Sequence, residues 1–122
     1  MAWNQVGNIK GPKGDNGEAP PRVVFAEADT SAGTATLNAA TADTWRVTAG
    51  QDITVSVVNW PDHGQLEIVA VDWGAYTVTL PSAWDWGVAG VPEFPASGRA
   101  RIVLRTDDAG TTVDAMLAWR AA

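Results

Sequence analysis

The sequence predicts an all-β fold, an antiparallel β-sandwich of the jelly-roll type with about eight short strands behind an extended N-terminal segment. From residue 22 onward, short segments rich in β-branched and aromatic residues are separated by glycine-bearing turns at close spacing. Within several segments, apolar and polar residues alternate with a period of two, which is typical of half-buried strands. No stretch of the sequence shows the helical period of 3.6 residues over several turns, so the predicted fold contains strands and no long helix.

Turn residues place the strand boundaries. Pro20 and Pro21 have no backbone N–H to donate, so the first regular element begins after them. Turns are expected at 30–33, 49–50, 61–64, 73–74 and 107–110. The expected strands are 22–28, 34–38, 43–48, 52–59, 65–72, 75–80, 99–106 and 111–120.

The alternation also predicts which side chains point inward. Four strands have a clear apolar face, made of Ile53, Val55 and Val57; Tyr76, Val78 and Leu80; Ala100, Ile102 and Leu104; and Val113, Ala115, Leu117 and Trp119. The arginines of the 99–106 strand alternate with its apolar residues and are expected on the outside. A one-residue slip in pairing would turn every side chain to the wrong face.

The last two strands are predicted to form a hairpin with a four-residue loop, 107–110. Thr106 then lies opposite Thr111, and inward residues meet inward residues in the pairs Leu104 with Val113, Ile102 with Ala115, and Ala100 with Leu117. On the outer side, Asp114 would lie diagonal to Arg101 and Arg105. That group is either a solvated charge ladder, worth less than about 1 kcal/mol per pair, or a seam between subunits of a trimer.

Composition narrows the classes of function. The chain has 122 residues, enough for one modest core, and 46% of them are hydrophobic. It has no cysteine, which excludes disulfides and thiolate metal sites, and its net charge of −6 is unfavourable for binding nucleic acid. Apolar runs are too short for insertion into a membrane.

Catalytic and cofactor motifs are missing from the sequence. The single histidine, His63, lies in a turn beside Asp62, and no second histidine can complete a zinc site. Acidic residues are plentiful, but nothing in the sequence pairs two of them at the separation that a glycosidase needs. We therefore expect no enzyme activity and no cofactor.

Seven tryptophans are many for a chain of this length. Such rings either fill a small β core or stack on sugars, and the core is the more common use. Trp60, Trp73 and Trp84 are the candidates for contact with a glycan or a partner. The irregular stretch 81–95, which also holds Trp86, is expected to be either a functional loop or a cover packed on the domain.

The N-terminal segment has a repeat of its own. In GPKGDNGEA, residues 11–19, Gly11, Gly14 and Gly17 recur at every third position. Only glycine fits at the axis of a collagen triple helix, so a period of three predicts a short stalk of three chains over residues 11–21. The alternative is a flexible glycine-rich linker. Residues 1–10 precede the stalk, and residues 22–122 form the β domain.

The order of short motifs along residues 34–120 carries a resemblance. The motifs are DTWRVT at 43–48, Gly50, the strand 53–59, GQL at 64–66, YTVT at 76–79, Pro81, Trp86 and the hairpin 107–119. Their order resembles a domain common at the C-terminal ends of bacteriophage tail and fibre proteins, which also carry collagen-like segments. Leu80 stands where that family often has tryptophan, and residues 87–90 replace its glycine-rich step, so the 81–95 loop is expected to differ.

The resemblance implies a virion structural protein that is homotrimeric, made in the host cytoplasm and assembled into a tail fibre or as a minor tail protein. Residues 1–10 would then anchor it to other virion proteins, with Trp3, Val6 and Ile9 as the apolar contacts. One alternative is a decoration or head-fibre protein on the capsid. Another is a carbohydrate-binding module that contacts glycans of the host surface.

Overall fold

The computed structural model describes residues 24–121 and confirms the all-β prediction. The expected stalk glycines, the anchor residues and the first ten positions all lie outside the described residues. The strands are β1 Phe25–Glu27, β2 Thr34–Asn38, β3 Thr44–Thr48, β4 Ile53–Val58, β5 Gly64–Val71, β6 Val78–Thr79, β7 Trp84–Asp85, β8 Arg99–Thr106 and β9 Val113–Arg120. Short 3-10 turns at Trp73–Ala75 and Gly87–Ala89 complete the elements.

The strands form two sheets, and most neighbours run parallel. The larger sheet has the order β1-β3-β5-β8-β9-β7, and the smaller one has the order β2-β4-β6. Only the pairs β5–β8 and β8–β9 are antiparallel; the other five pairs are parallel. The expectation of an antiparallel, jelly-roll-like arrangement is therefore wrong.

The parallel pairing follows from how the chain alternates between the sheets. Each odd-numbered strand from β1 to β5 lies in the larger sheet, and each even-numbered strand from β2 to β6 lies in the smaller one. The chain returns to a sheet after one full coil, so successive strands there point the same way. Phe25 pairs with Thr44 and Thr44 pairs with Glu67, which makes the coils 19 and 23 residues long. This is the geometry of a short β-solenoid, closed at one side by the β8–β9 hairpin.

Both sheets bury side chains in one hydrophobic core. Leu37 and Val55 come from the smaller sheet, whereas Ile68, Ile102 and Leu104 come from the larger one, and each is at most 1% exposed. The inward faces predicted from alternation in β4 and β8 are confirmed at Ile53, Val55, Ala100, Ile102 and Leu104. Burial of these apolar side chains is the main stabilising contribution that the described residues offer.

The β8–β9 hairpin is real, but its register differs from the expected one by two residues. Leu104 pairs with Ala115 and Ile102 pairs with Leu117, so the loop 107–112 has six residues. The longer loop is organised by the hydroxyl of Thr106, which is 2% exposed and accepts the backbone N–H of Gly110 at 2.8 Å. Since the shift is an even number, the inward residues of β8 still meet inward residues of β9.

Asp108 completes the hydrogen bonding of this loop. Its carboxylate accepts the backbone N–H of Thr112 at 2.8 Å, and this bond is the main reason that the pKa of Asp108 lies below its usual value. The longer loop also changes the predicted charge ladder. Arg101 pairs with Glu67 at 2.7 Å instead of lying beside Asp114.

A β-bulge in β9 reverses which of its last residues point toward the core. The pairing shifts between Arg101 and Ile102, so Arg101 lies opposite Trp119 while Ile102 lies opposite Leu117. Ala118 is the extra residue on β9, and one extra residue reverses the inside–outside alternation beyond it. Trp119, predicted to join the core, is therefore on the outside and 46% exposed.

Candidate functional site

Two of the three tryptophans expected to contact a ligand lie in the core. Trp73 is 2% exposed and Trp84 is 6% exposed, so neither ring has a face to offer to a sugar or a partner. The indole N–H of Trp73 donates to the backbone oxygen of Val47 at 2.9 Å. The ring also meets Phe94 edge to face, with centroids 5.1 Å apart. The prediction of a contact role is wrong for Trp73 and Trp84, because both side chains are packed inside the hydrophobic core.

Trp60 is partly buried and packs against the core. Its ring lies under the β8–β9 loop, where a Cβ on Gly110 would collide with it. The φ of Gly110 is +87°, which also favours glycine. A ligand role for Trp60 stays a prediction, whereas its contact with this loop is a packing role that the structure shows.

The stretch 81–95 is largely a cover on the domain. It contains the strand β7, which pairs with β9, and the 3-10 turn at Gly87–Ala89. Farther along, Phe94 packs on the core and Arg120 donates to the backbone oxygen of Glu93 at 2.8 Å. Residues 94–96 pack closely against Gly74. The N–H of Gly74 donates to the backbone oxygen of Pro95 at 3.0 Å, which fixes the end of the stretch to the domain.

A cleft opens between this cover and β9. It has a volume of about 590 Å³, and Trp86 forms part of its wall. Asp85 and Asp114, which pair in register across β7 and β9, also line it, together with Met116. An aromatic ring beside two carboxylates combines a stacking surface with hydrogen-bond acceptors.

The outer face of the six-stranded sheet, the face that points away from the core, is the second surface of interest. It carries Phe25, Met116 and Trp119, which are 53%, 59% and 46% exposed. The guanidinium of Arg46 lies 5.5 Å from the centroid of the Phe25 ring, and that of Arg99 lies 5.0 Å from the centroid of a Trp119 ring. Both distances are within the range of cation–π interaction.

The outer face also has a charge unlike that of the remaining domain. Residues 24–121 contain twelve acidic residues and five arginines. Four of these arginines and four of the acidic residues are on the outer face: Arg46, Arg99, Arg101, Arg105, Glu27, Glu67, Asp85 and Asp114. The outer face is therefore close to neutral, and the negative charge is concentrated elsewhere on the domain.

A groove crosses the outer face between β1 and β8. Phe25 forms one wall and Arg99 the other, Val69 and Val71 of β5 also line it, and its volume is about 550 Å³. The apolar side chains make this part of the face suited to contact with another protein surface rather than with water.

The described residues contain no group of three or more acidic or histidine side chains placed to hold a metal ion. His63 is exposed, and its Nδ1 lies 3.4 Å from the carboxylate of Asp107. Its partner is therefore Asp107 rather than the adjacent Asp62. Within residues 24–121, none of the helical turns has the length or the apolar character that a membrane crossing requires.

No protein-family model, curated protein or solved structure matches this chain. Hypotheses about its function therefore start from its own residues. The two surfaces that the structure offers are the cleft beside Trp86 and the outer face of the six-stranded sheet.

Sequence reasoning missed the outer face as a surface. The sequence predicts Phe25 in a strand without indicating which way it points, and it predicts Trp119 in the core. The signal that could have found Trp119 is weak, because only the extra residue at Ala118 reverses its direction. The cluster of arginines in β8 was visible in the sequence, but their aromatic neighbours come from β1 and β9, which only the fold brings to them.

Proposed function

We propose that this chain is a structural protein of a bacteriophage virion, a homotrimeric fibre or minor tail protein that residues 1–10 anchor and that displays the β domain. The observation that carries the proposal is the triplet repeat of Gly11, Gly14 and Gly17 directly before an all-β domain. The packing of three chains explains a strict Gly-x-y repeat, because only glycine fits at the axis of a collagen triple helix. The order of motifs from residue 34 to residue 120 supports a phage origin.

Three triplets are too few to hold three chains by themselves. The interchain hydrogen bonds of so short a stalk are opposed by the conformational entropy of ordering it. A β domain that already associates as a trimer raises the effective concentration of the three chain starts to roughly millimolar, which favours the stalk. The exposed aromatic rings of the outer face are consistent with such association.

Removal of residues 2–9 tests the anchor. We expect the shortened protein to fold and remain trimeric but to be missing from purified virions, because the arm supplies the attachment. Changing Trp3, Val6 and Ile9 to alanine together should have the same effect, since apolar side chains dominate interface energies. The matched control changes the polar residues Asn4, Gln5 and Asn8 to alanine and should leave incorporation normal.

Quantitative protein analysis of the particles reads out this experiment. Normal incorporation of the shortened protein would contradict the anchor role. The copy number of the wild-type protein per particle also distinguishes a location in the tail from a location on the capsid shell. A few trimers per particle fit a tail fibre or minor tail protein, whereas many fit the alternative of a decoration or head-fibre protein on the capsid.

A second candidate function is contact with glycans of the host surface, and the cleft beside Trp86 favours it. Trp86 offers a partly exposed ring, and Asp85 and Asp114 offer acceptors for sugar hydroxyl groups. We expect Trp86→Ala and Asp114→Asn to weaken glycan binding at least tenfold, while Tyr76→Ala, at an exposed ring that does not line the cleft, leaves it unchanged. Titration on a glycan array measures this, and wild-type protein that binds no sugar at millimolar concentration would remove the candidate.

A further inference from the structure

We propose that the outer face of the six-stranded sheet is the surface through which three copies of this chain associate, with the groove between Phe25 and Arg99 next to the threefold axis. The inference rests on the proposed homotrimer and adds which surface makes it. The occupant of the outer face is a second copy of the same chain. Three independent features of the described residues lead to this assignment.

The first feature is the short distance along the chain from the stalk to β1. Residues 11–21 form the proposed stalk on the axis, and Phe25 comes four residues later. An extended chain covers at most about 3.5 Å per residue, so Phe25 lies within roughly 14 Å of the end of the stalk. Phe25 is at the edge of the six-stranded sheet and lines the groove, so the β1 end of the outer face is close to the axis.

The second feature is the amount of apolar side chain that the outer face leaves in water. Phe25, Met116 and Trp119 are all about half exposed. Phe25 lies on β1, whereas Met116 and Trp119 lie on β9, so all three are on the same face of the sheet but on strands that are far apart in it. Aromatic residues, methionine and arginine are the residue types enriched at the centres of protein interfaces. Arg46 and Arg99 already lie against the two aromatic rings, so the rings are held in place before a partner arrives.

The third feature is charge. Residues 24–121 contain twelve acidic residues and only five arginines. The acidic surface outside the outer face would therefore repel the same surface of another copy. The outer face holds four of those arginines and four acidic residues, so its charges balance, and Arg46–Glu27 and Arg101–Glu67 are already paired at 3.0 and 2.7 Å. Association through the outer face therefore avoids the like-charge repulsion that other surfaces impose.

Two charge-introducing variants test the assignment by mass. In the full chain, Phe25→Glu and Trp119→Glu should each reduce the light-scattering mass threefold, from three chains to one, while circular dichroism stays that of a folded β protein. Val88→Glu is the matched control, since Val88 is fully exposed on the 3-10 turn Gly87–Ala89, which follows β7 at the edge of the sheet opposite β1. It should remain trimeric.

Cross-linking gives a second readout that does not depend on disrupting the protein. The natural chain has no cysteine, so Phe25→Cys introduces one thiol per copy near the proposed axis. A short trifunctional maleimide should convert this variant to a covalent trimer at least tenfold faster than it converts Val88→Cys. This measurement decides the question if a glutamate variant fails to fold.

The outcomes separate this inference from the proposed function. If the wild type is trimeric, both glutamate variants stay trimeric and Phe25→Cys cross-links no faster than Val88→Cys, then the outer face is not the interface, although the trimer stands. If the wild type is monomeric, the homotrimer itself fails and this inference fails with it.

Discussion

Replacement of Trp73 by alanine should lower the free energy of unfolding by about 4 kcal/mol, the largest effect we expect from a single side chain. The ring is 2% exposed, so its removal takes a large buried apolar surface away and leaves a cavity that the surrounding structure closes only in part. The variant also loses the hydrogen bond from the indole nitrogen to the oxygen of Val47. Denaturant unfolding at a fixed chain concentration measures the change.

Trp73→Phe separates packing from hydrogen bonding at this position. It retains an aromatic ring beside Phe94 but leaves the oxygen of Val47 without the indole donor. We expect it to cost about 2 kcal/mol, between the wild type and the alanine variant. If Trp73→Ala changed the stability by less than about 1 kcal/mol, the core role that we assign to this ring would be wrong.

Gly74→Ala should lower the free energy of unfolding by about 3 kcal/mol, because the added methyl group has no room. A Cβ at this position would lie 2.7 Å from the carbonyl carbon of Pro95 and 2.8 Å from the nitrogen of Ala96, and it would also collide with the oxygen of Phe94. These are backbone atoms, so a side-chain rotation cannot relieve the collision. The segment 94–96 would have to move, which would pull Phe94 away from Trp73.

The chain offers a matched control for this substitution. Gly50 lies in an exposed turn, and a Cβ there would meet no atom within 4 Å. Gly50→Ala should therefore change the stability by no more than about 0.5 kcal/mol. Equal effects of the two alanine substitutions in thermal or denaturant melts would show that the approach of residues 94–96 to Gly74 is not a constraint on the fold.

The sequence predicts the strands of this domain well and their directions poorly. A period of two shows which residues share a face, and β2, β5 and β8 were predicted to within one residue at each end. The same period is present in parallel and antiparallel strands, so it cannot show that β1, β3 and β5 run the same way. That depends on each connection crossing to the other sheet, which is a property of the whole coil.

The candidate sites depended on which tryptophans are exposed, and composition could not show that. Trp73 follows β5 and packs inward, because the 3-10 turn that begins at this residue aims the ring at the core. Trp119 lies in a strand whose alternation points it inward, and a single extra residue turns it outward. Both errors come from local backbone geometry that residue types do not specify.

Association of three chains is central to the proposed assembly. The proposed stalk and the proposed interface both require it. The light-scattering mass of the full chain in solution is the most direct measurement. We predict the mass of three 12.8 kDa chains, and a mass of one 12.8 kDa chain would contradict the proposal.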